Sequence, residues 1–131
     1  MLDIVIPVHD NLPWLRLCLS AVHAFTQNEY RVIVVDNASV EVDTLEFLRG
    51  AIHDDIPAHG SVTVLRLGVN DSFSHSCNAG VAAGRNPNVV LLNSDAIVTP
   101  GWDAALLADL VPLDVGLVGA RTNAAMGLQA T

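Results

Sequence analysis

Apolar runs of strand length alternate along this chain with longer segments of helical apolar spacing, and polar clusters stop the runs. That alternation is the pattern of parallel βαβ units, and no other feature constrains the fold as much. Leu2–Val8 reads as the first strand, and Leu12, Leu15, Leu17, Leu19, Val22 and Phe25 then line a helix. Arg31–Val35 is a second strand of continuous Val and Ile, as expected of a strand covered on both faces. Val42, Leu45, Phe47, Leu48 and Ile52 mark a second helix, Ser61–Leu67 a third strand, and Phe73–Ala83 a helix closed by Gly84. Asn88–Leu92 is a fourth strand, a short helix follows Pro100-Gly101 through Leu110, and Val115–Ala120 is expected as a fifth strand. The whole predicts an α/β protein: a single domain over residues 1–131, built as a three-layer α/β/α sandwich around a mainly parallel sheet. In such sheets ligands bind beyond the carboxyl ends of the strands, where the strand order reverses.

Composition narrows the function. With 51% apolar residues, 131 residues can bury a core without disulfides or a structural metal. The net charge is −8 and no run of Lys or Arg could neutralise successive phosphates, so a nucleic-acid or anionic-membrane surface is not expected. Cys18 and Cys77 each sit in a helical segment and read as buried free thiols, which suits a reducing, cytoplasmic location. The amino terminus lacks the basic stretch of a signal peptide, and no apolar run is long enough to span a membrane.

Three strands end in polar clusters: His9-Asp10-Asn11, Asp36-Asn37-Ala38-Ser39 and Asn93-Ser94-Asp95. Parallel strands put all three on one edge of the sheet. Asp, Asn and Ser cap helices and make turns, and for any one cluster that reading stays open. Together they place Asp36 and Asp95 on one crevice with few basic residues to pair them, which favours a ligand or a divalent cation. Other α/β chemistries lack their residues here. No glycine follows the first strand, as a dinucleotide fold needs; no Gly-Lys-Ser/Thr and no G-x-S-x-G occur; and the five histidines show no zinc-ligand spacing.

Taken in order, Ile4-Val5-Ile6-Pro7-Val8-His9-Asp10-Asn11, Val34-Val35-Asp36-Asn37-Ala38-Ser39, Asn70-Asp71-Ser72-Phe73-Ser74-His75-Ser76-Cys77-Asn78-Ala79-Gly80 and Leu91-Leu92-Asn93-Ser94-Asp95 resemble family 2 glycosyltransferases. The likeness runs from Leu2 to about Asn123 and is greatest to the rhamnosyltransferase-like branch. It implies the Rossmann-like GT-A fold, a nucleotide-diphosphate sugar as donor, Mg²⁺ or Mn²⁺ as cofactor, and transfer to a hydroxyl of a saccharide or lipid-linked acceptor.

By the same resemblance Pro7 and His9 line the nucleotide pocket, and Asp36 reads the base or ribose, as a carboxylate accepting from N–H or O–H groups can. Asp95 is the implied metal ligand, with Ser94 beside it and Asn93 in place of the first acid of the family's Asp-x-Asp motif. Asn78 and Gly80 match the motif on the third helix, where the amide would fix the pocket floor or make a purely structural bond. Ser72 stands on a loop that approaches the donor, where the family often has glycine.

No residue matches the family's general base: Asp103, Asp109 and Asp114 do not fit its motif, and Asp103 and Asp109 read as solvated positions on a surface helix. The stretch is therefore expected to be the donor-binding half of a transferase, truncated and inactive alone. Two alternatives stay open: a nucleotide-binding module without turnover, and a fragment that associates with a second copy of itself.

Overall fold

The structure is a computed structural model and describes residues 1–112 and 114–120. Four strands, β1 (Leu2–Val8), β2 (Tyr30–Asp36), β3 (Gly60–Arg66) and β4 (Asn88–Leu91), form one all-parallel sheet in the order β3-β2-β1-β4. Four α-helices alternate with them: α1 (Leu12–Phe25), α2 (Val42–Arg49), α3 (Phe73–Ala83) and α4 (Trp102–Asp109). A 3₁₀ turn, Ala51–His53, follows α2 and takes Ile52, expected in that helix. Among the described residues no helix is long and apolar enough to cross a membrane.

Alternating side chains on the strands feed the two outer layers. Ile4, Ile6, Val32 and Val34 face Leu15, Cys18, Leu19 and Val22 of α1 and Phe47 and Leu48 of α2. Val5, Ile33 and Val35 face the other way, where α3 packs on β1 and β2. Central β1 is buried at every residue, whereas edge strands β3 and β4 alternate between half-buried and exposed. This is the three-layer sandwich that the alternation predicts. Cys18 and Cys77 are buried free thiols.

Gly80 sets the distance of α3 from the sheet. A Cβ there would lie 2.3 Å from Cγ1 of Val5 and 2.9 Å from Cγ2 of Val35, both stiff, buried, β-branched side chains. Gly80→Ala should therefore destabilise the fold by about 1–3 kcal/mol, the usual cost of overpacking a core. Chemical denaturation would show it as a lower midpoint, and an unchanged midpoint would mean that the layers have slack.

Two expectations are corrected. Val115–Ala120 is no strand: the segment has no regular structure, pairs with none of the four strands and leaves Leu117 90% exposed. Its two glycines, Gly116 and Gly119, supply no side chains for a sheet surface. Asp103 is no solvated residue but fully buried, with Oδ2 accepting from the backbone N–H groups of Gln27 (3.1 Å) and Asn28 (2.9 Å) and from Asn28 Nδ2 (2.8 Å). The expected likeness near Asn123 lies outside the described residues.

Candidate functional site

The chain steps from β1 outward to β2 and β3, then crosses back to place β4 on the other side of β1, so the strand order reverses between β1 and β4. Their pairing stops at Val5↔Leu91, followed by a last bond from Leu92 N–H to the Val5 carbonyl (2.9 Å). Pro7, two residues on, faces the same side, because backbone groups along a strand alternate. It has no N–H to offer a neighbour just where β4 has left the sheet. The two strands diverge there, and a crevice of about 410 Å³ opens, lined by Pro7, Asn11, Phe73, Asn93, Ser94 and Asp95.

Two parts of the lining, the Asn11 turn and the Asn93 loop, are held from behind. Asp10 and Asn11 both take left-handed backbone conformations (φ 55° and 61°), which Asp and Asn tolerate better than most residues, and they turn the chain from β1 into α1. Cys18 of α1 lies beneath the Asn93-Ser94-Asp95 loop, its thiol 3.5 Å from the Asn93 carbonyl. Burial pushes that thiol up to about 12, and the nearby Asp95 carboxylate adds to the effect, so Cys18 stays a neutral support. Asp95 itself is exposed, and among the described residues it takes part in no salt bridge.

Beside the crevice, the loops after β1, β2 and β3 are stitched into one polar network. Asn37 is its hub. Its carbonyl lies 2.9 Å from His9 Nδ1, its Nδ2 donates to Asn70 Oδ1 (2.9 Å) and the Asp71 carbonyl (2.7 Å), and its Oδ1 accepts from the Asp71 N–H (2.9 Å). Asp10 Oδ1 accepts from the N–H groups of Val40 and Glu41, each at 2.8 Å. The Glu41 N–H does most to hold that carboxyl below its ordinary range, against slight desolvation.

Asp36 is 1% exposed and fully engaged in this network: Oδ1 accepts from the Ser39 N–H (2.8 Å), and Oδ2 is ion-paired with Arg66. Asp36 is expected to have few basic residues to pair it, and Arg66 is the one that does. Register explains the pair, because Asp36 and Arg66 are in-register partners at the ends of β2 and β3.

Of the residues expected at a site, the fold brings Pro7, Ser94 and Asp95 together in the crevice, with Asn93 between strand and acid. His9, half exposed, stands in the adjoining network. Ser72 is exposed and caps α3, its hydroxyl accepting from the His75 N–H at 3.2 Å. Asn78 is exposed on α3 and does not line the crevice, and Gly80 lies against the sheet. Sequence reasoning missed Asn11, Phe73, Arg66 and the role of Asn37. Phe73 did leave a signal, as an apolar residue directly after Asn70-Asp71-Ser72 at a helix start. A larger hollow of about 560 Å³ lies between α1 and α2, where Arg16 stacks 4.7 Å over Phe47; none of the expected site residues lines it.

Residues 3–127 match the family model described as Glycosyl transferase family 2. The uncharacterized protein y4gI of Sinorhizobium fredii is 36% identical over 123 residues, which are 92% of this chain and 13% of that protein. Among solved structures, the mannosyltransferase PcManGT from Pyrobaculum calidifontis, in complex with GDP-Man and Mn²⁺, superposes with a TM-score of 0.76 at 19% identity, over 88% of this chain and 33% of its own. S. aureus TarS 1–349 superposes with a TM-score of 0.69 at 16% identity, over 83% of this chain and 32% of its own. The TarS complex with UDP-GlcNAc gives 0.67 at 16% identity, over 83% of this chain and 30% of its own. At these identities the solved structures establish a shared fold, and the chain spans about a third of their length.

Proposed function

The chain belongs to glycosyl transferase family 2 and has the GT-A fold, and from that premise we propose that its strand-end crevice binds a nucleotide-diphosphate sugar for transfer to an acceptor hydroxyl. The observation that carries this reading is the convergence of Pro7, Asn93, Ser94 and Asp95 on one crevice at the strand-order reversal. That is where open α/β sheets take their ligands. Similar folds have been solved with UDP-GlcNAc and with GDP-Man and Mn²⁺, which supports a nucleotide sugar as the ligand class.

The donor set suits Mg²⁺ or Mn²⁺. Hard cations take oxygen ligands, and one or two carboxylates suffice when phosphates and waters complete the shell. Among the described residues Asp95 offers a carboxylate in no salt bridge, with the oxygens of Asn93 and Ser94 beside it, and no cluster of three His, Cys, Asp or Glu occurs. Asp95 would hold the cation against the diphosphate. The chemistry a bound cation supplies is neutralisation of the charge that builds on the leaving diphosphate. The chain's own residues bind and orient: Pro7 and Phe73 exclude water from one side, and the network around Asn37 keeps the neighbouring loops fixed.

Asp95→Asn should abolish the metal dependence of nucleotide binding. Titration calorimetry of UDP, GDP and dTDP in Mn²⁺ should show binding that falls roughly tenfold or more in EDTA, the scale of a lost charge-assisted contact. In the variant the two conditions should match. Equal affinity of the unaltered protein in EDTA and Mn²⁺ would defeat the metal assignment, and no binding of any of the three would defeat the donor site itself.

A further inference from the structure

Asparagine is among the thermolabile residues, because its side-chain amide carbon lies within reach of the next residue's backbone nitrogen. The two close a succinimide ring most readily where the next residue is small, the amide is free of hydrogen bonds and the backbone is outside helix and strand. Asn93 meets all of these conditions. The chain has no Asn-Gly step, and Asn93-Ser94 is its one Asn-Ser step. Asn93 is exposed and lies between β4 and α4. Among the described residues its side chain makes no hydrogen bond and the Ser94 N–H donates none. The Asn93 carbonyl is held by Cys18 and the Ala96 N–H, which leaves both reacting groups untouched.

The other asparagines among the described residues are guarded. Pro87 gives Asn86 no attacking N–H. The side chains of Asn28, Asn37 and Asn70 are engaged with Asp103, Asp71 and Asn37 respectively. Asn78 lies inside α3 and Asn88 inside β4, and Asn11 is followed by the bulky Leu12. We propose that Asn93 deamidates spontaneously in the folded protein and thereby adds a second carboxylate to the crevice. The Ser94 nitrogen bonds to Cγ of Asn93 and gives up its proton, the Cγ–Nδ2 bond breaks, and the amide nitrogen leaves as ammonia. Water then opens the ring at either carbonyl and leaves aspartate or isoaspartate. In sum an amide and a water become a carboxylate and an ammonium ion, with nothing oxidised or reduced. Asp95 lines the same crevice, so either product gives that wall a further negative charge. Resting on the donor-site reading above, the altered protein binds a nucleoside diphosphate more weakly without a cation and gains more from one, since ligand charge tunes affinity for hard cations.

The first arm of the test needs no ligand. The folded chain is held in mildly alkaline buffer and its peptides are mapped by mass spectrometry. Asn93 should exchange amide for acid before any other asparagine. Ser94→Val, whose branched side chain hinders the attacking nitrogen, should slow the exchange several-fold, and Ser94→Gly should speed it. An intact Asn93 amide, earlier loss at another asparagine, or one rate in all three proteins overturns the site. The second arm is calorimetry of UDP and GDP with Asn93→Asp, the aspartate product in pure form. Its ratio of affinity in Mn²⁺ to affinity in EDTA should exceed the parent's roughly tenfold, the scale on which ligand charge tunes such sites. An unchanged ratio overturns the effect on the cation. If the parent binds neither nucleotide, the donor-site reading fails while the deamidation site is judged by the first arm alone.

Discussion

Residues 1–131, given a nucleotide sugar and an acceptor sugar, should bind the donor and transfer nothing. Attack by a hydroxyl on the anomeric carbon needs a base to take its proton, and a positioned base typically contributes 10²–10⁴-fold. Among the described residues Asp95 is the one carboxylate lining the crevice, and the proposed cation occupies it. Asp36 is buried against Arg66, and Asp103 is buried on Gln27 and Asn28. Asp109 and Asp114 are exposed and do not line the crevice, and residues 121–131 contain no Asp or Glu. Mass spectrometry of the acceptor after long incubation should therefore find no added sugar. Transfer at a rate typical of enzymes would mean that a carboxylate outside the crevice lining, such as Asp71, Asp109 or Asp114, reaches the reacting hydroxyl.

Asp3→Ala should be the most damaging single change to the fold. Asp3 is fully buried at the amino end of β1 and accepts five hydrogen bonds. They come from Arg31 Nε (3.1 Å) and Nη2 (3.3 Å), the N–H groups of Arg85 (2.6 Å) and Asn86 (2.9 Å), and Asn86 Nδ2 (2.7 Å). Removing one partner of a buried ion pair costs about 3–5 kcal/mol, because the other charge is left unmatched. For a domain of this size that is roughly 10–20 °C in Tm. A loss under about 1 kcal/mol would show that Arg31 simply swings into water.

The same carboxylate shapes the response to acid. Burial acts to raise the pKa of Asp3, but the bonds from Asn86, Arg31 and Arg85 outweigh it, so the folded value lies below 3.8, the ordinary value for an aspartate. Asp103 is depressed in the same way, burial being outweighed by the bonds from Asn28 and Gln27. Stability from these two groups is thus complete above pH 3.8 and is lost as pH falls through their folded values. His23 adds an earlier step. Burial first, and the His59 charge second, hold it below 6.5, so the unfolded chain takes up the proton more readily and stability declines as pH falls below 6.5. Denaturation at a series of pH values should show both stages. Asp3→Ala should shrink the lower one to the part due to Asp103 and leave the upper.

Those buried carboxylates also mark where the sequence stops being legible. The elements could be read because their apolar periods are unmixed: β1 and α3 end where the pattern says, at Leu2–Val8 and Phe73–Ala83. The position of the site could be read too, since parallel strands bring their carboxyl ends to one edge. What a polar side chain does there could not. Asp36 and Asp95 look alike in sequence, each closing an apolar strand. One is buried on an in-register arginine and the other is exposed, and that difference depends on which strand is the neighbour. Asp103 stands on a helix of weak amphipathic pattern, and only the approach of the Gln27–Asn28 loop, some 75 residues away in sequence, buries it. Val115–Ala120 has strand composition, but composition does not supply a partner.

The strand order has a further consequence, for the order in which the chain can assemble as it is made. β1, β2 and β3 are contiguous in sequence and can pair once Arg66 is available, but the other side of β1 waits for a strand that begins at Asn88. At about 5–20 residues per second, that wait after β3 is complete lasts on the order of one to four seconds. Throughout it, Asp3 lacks its Asn86 and Arg85 partners, and the sheet has an unpaired central edge of Leu, Ile and Val. An open apolar edge of that kind is a template for pairing between chains. Nascent chains stalled shortly after Arg66 should therefore be the species that needs a chaperone, and those stalled well beyond Leu91 should not.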